Sequence, residues 1–112
     1  MGTDTVLEVG IIETFAGNGK ARSTGDGKRA IKSGIPLPNQ LTIDREGRFA
    51  YIAECGSDRV RRVDMETGLL HNFAGNGETC YSGDYGPCGE AGLYLPLDVA
   101  CDSKNNLYVC DS

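Results

Sequence analysis

Several kinds of residue and pattern are scarce in this chain of 112 residues, which has no tryptophan and only one histidine, His71. Because zinc sites need clustered histidines or closely paired cysteines, a single histidine without any CxxC pair predicts no metal centre. No apolar run approaches the roughly 20 residues that span a bilayer, so we expect no membrane insertion by this chain. No cofactor motif is present, since the glycine-rich segments lack the lysine and the following helix of a phosphate-binding loop.

Basic residues are outnumbered by acidic ones, and the formal net charge is −5. An acidic chain has little general affinity for phosphate backbones or anionic membranes, so we expect no nucleic-acid partner. One local exception is the segment Arg59–Val63, "RVRRV", which we interpret as a strand with outward-facing arginines.

The five cysteines cannot all pair within the chain because their number is odd. Cys80 and Cys88 bracket the segment "YSGDYGP" and are candidates for a local disulfide. Cys101 and Cys110 replace Ile43 and Ala53 of a related segment described next, and we interpret them as small buried apolar residues. The compartment in which the chain works is left open.

An internal repeat is the strongest pattern that the sequence does contain. "FAGNG" occurs at Phe15–Gly19 and again, 58 residues later, at Phe73–Gly77. With that offset, 12 of 39 positions are identical between Gly10–Arg48 and Gly68–Asn106. A period of this length indicates stacked units that cannot bury their apolar faces alone.

Each period contains four short strand-like segments, separated by turn residues, and no sustained helical pattern. In the second segment, "FAYIAE" or "NLYVCD", both faces are apolar, which is typical of a strand packed between two layers. Four-stranded antiparallel sheets repeated in this way are the blades of a β-propeller. We therefore predict an all-β fold of propeller blades, with strands A, B, C and D in each.

The motifs in their order resemble the NHL repeat. The chain has "FAGNG", "SGDYGP", "LPLDVACD", "NNLYVCD" and "SDRVRRV", where that family has an "AGxG" strand end, "SGDGGPA", "PxGVAVD", "GNLYVAD" and "NHRIRKV". The resemblance covers roughly residues 5–112. It departs from the family at Asp58, where the family has a histidine, and at "GDGKRA", which stands for "GDGGPA".

The phase of the repeat predicts an incomplete ring, with one whole blade between two half-blades. We expect strands C and D of a first blade over 5–15, an inter-blade loop over 16–38 and a full blade over 39–74. A second loop over 75–96 and strands A and B of a further blade over 97–112 complete this single NHL-repeat unit. Propellers have 4–8 blades, so either a longer chain, further copies of the chain or other subunits would complete the ring.

Resemblance to NHL propellers implies a platform for protein partners, and we expect a scaffold without catalytic residues. Two alternatives stay open: a metal-dependent lyase or hydrolase of this propeller type, and an RNA-binding propeller. His71 is interpreted as an ordinary blade position. Weak candidates for binding are the repeated polar residues of the two loops: Asn18, Asp26, Asn76 and Asp84. We interpret both aspartates chiefly as turn-capping residues, because one carboxylate per loop is too few for calcium.

Overall fold

The computed structural model describes residues 10–77, 86–94, 96 and 98–110 of the chain. These residues form seven β-strands and three 3-10 helices of one turn each, and no α-helix occurs among them. The strands are β1 (Lys28–Arg29), β2 (Pro38–Ile43), β3 (Phe49–Glu54), β4 (Arg59–Asp64), β5 (Leu69–Ala74), β6 (Asp98–Cys101) and β7 (Leu107–Cys110). The helices are Ala30–Lys32, Cys55–Ser57 and Cys88–Glu90. The prediction of an all-β fold is confirmed.

Strands β2 to β5 form the predicted full blade, a sheet in which each strand is antiparallel to the next. The predicted A–B–C–D order is therefore the observed order of β2, β3, β4 and β5. The sequence did not predict β1, which pairs with β5 and adds a fifth strand at the outer edge. Lys28 and Arg29 thus join the sheet, although they lie within the segment that we expected to be a loop.

Aspartates close the turns between the strands of the blade. Asp44 ends β2, and its Oδ1 accepts hydrogen bonds from the backbone N–H groups of Arg48 at 2.7 Å and Phe49 at 3.2 Å. Asp64, the last residue of β4, does the same, because its Oδ1 accepts from the N–H groups of Glu66 and Thr67. Short polar side chains commonly satisfy backbone donors in such turns.

Strands β6 and β7 form a second antiparallel pair and are strands A and B of the next blade. The pair packs against β2 and β3 of the full blade. The turns of the two blades are also joined, because the Arg45 N–H donates to Asn105 Oδ1 at 2.9 Å and Asn105 Nδ2 donates to Glu46 Oε1. The described residues are therefore a full propeller blade followed by half of the next.

The full blade has a buried core on each face of its second strand, β3, as predicted for that strand. One face carries Ala50, Ile52, Val63 and Leu70, which pack with Ala30 from the preceding loop. The opposite face carries Tyr51, Ala53, Val60 and Ala74, which pack with Val99 of β6. The ring of Tyr51 meets the ring of Phe73 edge-on, with centroids 5.0 Å apart. Because side chains alternate along a strand, the same strand contributes to both cores.

Three expectations differ from the structure. Ile11–Phe15, expected as strand D of the first blade, form no strand. The strand C predicted to precede it lies outside the described residues, and a strand needs a hydrogen-bonded neighbour. Arg61 of "RVRRV" points inward and is buried, not outward. Cys110 is exposed, because no described element packs over its face of β7.

Candidate functional site: the loops between the blades

Asn18 and Asn76, the repeated asparagines of "FAGNG", fasten the two inter-blade loops in the same way. Asn18 Nδ2 donates to the carbonyl oxygen of Lys32 at 3.1 Å, and Asn76 Nδ2 donates to that of Glu90 at 3.3 Å. Lys32 and Glu90 are themselves 58 residues apart, so the repeat extends to the acceptors of these bonds. Both asparagines therefore tie the start of a loop to the 3-10 helix near its end.

The backbone hydrogen bonds next to these asparagines are also the same in the two copies. The N–H of Gly17 donates to the carbonyl oxygen of Ala30, and that of Gly75 donates to the carbonyl oxygen of Cys88, both at 2.9 Å. Gly75 has φ +86°, and a Cβ at this position would lie 2.5 Å from the carbonyl oxygen of Asp58. Only glycine fits at Gly75, which explains why glycine stands at this position of the repeated segment.

Asp26 joins the first loop to the blade. Its Oδ1 accepts a hydrogen bond from the N–H of Asn72 at 2.8 Å and lies 3.9 Å from Nδ1 of His71. Asp26 thus supplies an acceptor along the outer edge of β5. His71 lies on β5, at the strand D position that the sequence predicted, with its side chain 43% exposed.

The remaining predicted site residues lie in the second loop. Asp84 and Cys80 fall outside the described residues, so the proposed Cys80–Cys88 disulfide stays a prediction. Cys88 is exposed, and its Sγ donates to the carbonyl oxygen of Phe73 at 3.1 Å. The structure therefore brings Asn18 and Asp26 into one loop, and places Asn76 in the other.

A buried ion pair in the blade, between Glu54 and Arg61, holds the first inter-blade loop. Arg61 Nη1 lies 2.9 Å from Glu54 Oε2, and both side chains are almost completely buried. The same guanidinium donates to the Ser23 hydroxyl and to the carbonyl oxygen of Thr24, each at 2.7 Å. Ser57 completes the network by donating its hydroxyl to the other oxygen of Glu54. A buried arginine needs such partners, since an unpaired buried charge is very costly.

Five basic side chains on the first loop are exposed: Lys20, Arg22, Lys28, Arg29 and Lys32. We call them the basic cluster. Between residues 20 and 33 the only acidic residue is Asp26. The corresponding segment of the second copy, 78–91, contains Glu78, Asp84 and Glu90 and no lysine or arginine. The two loops thus share a backbone fastening but carry opposite charge.

Sequence reasoning missed both the buried ion pair and the basic cluster. A count of charges in a moving window would have found the cluster, because five of the eleven lysines and arginines fall within residues 20–32. No sequence signal distinguished Arg61 from its neighbours, since a strand of mixed character does not reveal which face is covered. The pairing of Ile52 with Arg61 across β3 and β4 places the Arg61 side chain on the covered face that also carries Ile52.

Hydrogen bonds in the turn between β6 and β7 shift the pKa values of Asp102 and Tyr108. Asp102 Oδ2 accepts from Asn106 Nδ2 at 3.0 Å, and its Oδ1 accepts from the N–H groups of Asn106 and Lys104 at 2.9 Å each. These bonds, the Asn106 side chain first, lower the pKa of Asp102 to about 2. The Tyr108 hydroxyl also donates to Asp102 Oδ2, which raises the pKa of Tyr108.

Within the described part of the chain, no three side chains of histidine, cysteine, aspartate or glutamate converge as a metal site would require. Over the same residues, no helix is long and apolar enough to cross a bilayer. Burial raises the pKa of the Cys55 thiol, so that group is held as the neutral thiol rather than as a nucleophilic thiolate.

The repeated sheets, their shared loop fastening and their face-to-face packing define blades of a β-propeller. Comparison with known proteins agrees. A structural genomics protein of unknown function from Bacteroides thetaiotaomicron has the same fold over 89% of this chain, with a TM-score of 0.75 and 24% sequence identity. The matched region is 24% of that protein.

Sequence comparison supports the NHL-repeat family that the motifs predicted. It is 31% identical over 114 residues to NHL repeat-containing protein 2 of Bos taurus, a match that includes 95% of this chain. It is also 31% identical over 110 residues to the chloroplastic protein SUPPRESSOR OF QUENCHING 1 of Arabidopsis thaliana. The chain spans 16% and 10% of the lengths of these relatives. No protein-family model matches the chain.

Proposed function

We propose that the chain is a non-catalytic protein-interaction module whose inter-blade loops contact the partner. The observation that carries this proposal is the repeated fastening of the loops: Asn18 and Asn76 hold the same backbone geometry while the exposed side chains differ. Loops mounted on a rigid sheet can vary in sequence without loss of the fold, and such loops commonly carry binding function. Similarity to the NHL-repeat family agrees with a scaffold role.

We further propose that the chain works within a larger propeller. Leu41 and Ile43 of β2 are 45% and 46% exposed, although their repeat counterparts, Val99 and Cys101, pack against the full blade. Similarly, Tyr108 is 60% exposed, whereas its counterpart Tyr51 is 8% exposed. In each of these comparisons, one copy of the repeat exposes an apolar face that the other copy buries against a neighbouring blade. Further blades, from the same polypeptide or from other copies, would cover these faces.

A groove beside the first "FAGNG" supports this arrangement. It has a volume of about 600 Å³ and is lined by Phe15, Ile35, Leu41 and Ile52, among others. It lies on the face of β2 that is equivalent to the face by which β6 packs against the full blade. A neighbouring blade would fill it with apolar side chains.

The test is chemical cross-linking of the native protein in its source cells, followed by purification and identification of the cross-linked peptides. We expect a protein partner in fixed proportion, cross-linked to lysines of the first loop or to carboxylates of the second. Native mass measurement of the same sample gives the number of copies and of blades. Recovery of the protein as a monomer without any partner, or a loss of an enzymatic turnover on mutation of His71, would contradict the proposal.

A further inference from the structure

We propose that the basic cluster on the first inter-blade loop is a docking surface for an acidic segment of a partner protein. This inference rests on the proposed interaction function and adds the surface and the chemistry of the partner. The cluster consists of Lys20, Arg22, Lys28, Arg29 and Lys32, all exposed.

The two legs of the loop are held side by side, which brings Lys20 and Lys32 close together. Asn18 bridges the legs, because its Oδ1 accepts from the N–H of Lys20 at 2.9 Å while its Nδ2 donates to the carbonyl oxygen of Lys32. Thr24 and Gly34 form a second bridge, with Gly34 N–H donating to Thr24 Oγ1 at 2.9 Å and Thr24 N–H donating to Gly34 O at 3.2 Å. Lysines twelve residues apart in sequence are thus neighbours on the surface.

The surface is also fixed to the blade before any partner arrives. The N–H of Gly27 donates to the carbonyl oxygen of Leu70 at 2.6 Å, and that of Ala30 to the carbonyl oxygen of Gly68 at 2.8 Å. From the other side, Arg61 holds Ser23 and Thr24 through the buried network. A surface held in this way loses little conformational entropy on binding, so more of the contact energy remains as affinity.

The charges of the cluster are available for a partner. Across residues 10–77, 86–94, 96 and 98–110, none of the five basic side chains forms an ion pair. The nearest acid in sequence, Asp26, is directed at β5, where it accepts a hydrogen bond from the backbone of Asn72. The concentration of positive charge is local, since the other six lysines and arginines share the chain with fifteen carboxylates.

Two features favour an acidic protein segment over a nucleic acid. The chain as a whole carries a net charge of −5, which repels a long polyanion outside the small basic area. Residues 17–38 contain no aromatic side chain on which a base could stack. They do contain Ile31, which is 39% exposed between Arg29 and Lys32 and offers an apolar contact to a protein side chain.

Fluorescence anisotropy with a labelled polyglutamate peptide tests the proposal directly. We compare the unmodified chain with Lys28→Glu/Lys32→Glu, which reverses two charges of the cluster, and with Lys104→Glu, which reverses an exposed charge in the turn between β6 and β7. We expect binding by the unmodified chain, a loss of affinity of about tenfold or more in the double variant, and a change below about twofold in the control. Circular dichroism and thermal unfolding verify that all three chains are folded.

The expected interaction also weakens at high salt, because exposed charges are screened. No binding of the peptide, or an equal loss in Lys104→Glu and in the double variant, overturns the proposal. Tighter binding of single-stranded oligouridine than of the peptide overturns it in favour of a nucleic acid. Self-association that the double variant abolishes overturns it in favour of a second copy of the chain.

Cross-linking of the native complex separates this inference from the proposed function. Cross-links from a partner to Lys20, Lys28 or Lys32 support both. A partner cross-linked only to the second inter-blade loop leaves the proposed function intact and overturns the docking surface. Absence of any protein partner contradicts the proposed function, and polyglutamate binding that is sensitive to Lys28→Glu/Lys32→Glu then still supports the docking surface.

Discussion

Charged residues of this chain occupy two different environments, buried and exposed. This difference decides how much each contributes to the stability of the fold. Glu54 and Arg61 are buried together, whereas Arg48, which lies near Asp44 and Glu46, has a side chain that is 64% exposed. Water screens the exposed group, while the buried pair depends on its protein partners.

Replacing Glu54 with alanine leaves the Arg61 guanidinium buried without its counterion. We expect the free energy of unfolding to fall by about 3–5 kcal/mol, as measured by urea denaturation. Arg48→Ala is the matched control, with an expected loss below about 1 kcal/mol. Similar losses in the two variants would contradict the assignment of the pair as the anchor of the first loop.

Asp102 links stability to pH. Its pKa is about 2 in the folded chain and 3.8 in the unfolded chain. A lowered pKa means that the carboxylate stabilises the fold fully above about pH 4 and loses this contribution as the pH falls towards 2. In the Asp102→Asn variant, the melting temperature should therefore fall less steeply over that pH range than in the unmodified chain. An unchanged profile in the variant would show that other groups set the acid sensitivity.

At the scale of elements, the loops are as much a part of the architecture as the strands. The segment 16–38 supplies β1 to the sheet and the buried residue Ala30 to its core, against which Ala16 and Ile35 also pack. The prediction of a loop over these residues was therefore incomplete. A lone two-residue strand has no sequence signature, because its pairing is decided by the position of β5.

Asn18→Ala removes the side chain that joins the legs of the first loop. We expect a loss of about 1 kcal/mol in unfolding free energy and faster hydrogen exchange in residues 18–34. Gln40→Ala, which truncates an exposed side chain on β2, serves as the control. Exchange in the loop that equals that of the control would contradict the role of Asn18. The same test applies to Asn76 in the second loop.

At the scale of the whole molecule, repeat counterparts differ because their surroundings differ. Tyr51 packs between blades, and its counterpart Tyr108 is exposed. In the chain studied alone, Tyr51→Ala should cost about 3–5 kcal/mol of unfolding free energy and Tyr108→Ala less than about 1 kcal/mol. In the native assembly Tyr108→Ala should become costly as well. Equal, small losses at both positions would contradict inter-blade packing on Tyr51.

Local sequence was sufficient for the blade. The 58-residue repeat, the turn residues and the apolar alternation predicted β2 to β7 in their order, and the motifs predicted the family. These features are visible because strand periodicity and turn chemistry are local properties, encoded within a few neighbouring residues. The asparagines of "FAGNG" were selected as binding candidates, which stays a prediction, and their intrachain hydrogen bonds to Lys32 and Glu90 were not predicted.

Tertiary structure alone decided which charges are buried and which are gathered on the surface. Arg59, Arg61 and Arg62 are alike in sequence, and Arg59 is the direct cross-strand partner of Glu54. Among the described residues, however, only Arg61 forms the buried ion pair with Glu54. Likewise, folding of the first loop on itself places Lys20 beside Lys32 through Asn18. Both outcomes depend on contacts between residues far apart in the chain. The sequence by itself determined a repeated blade, and packing determined its buried anchor and its charged surface.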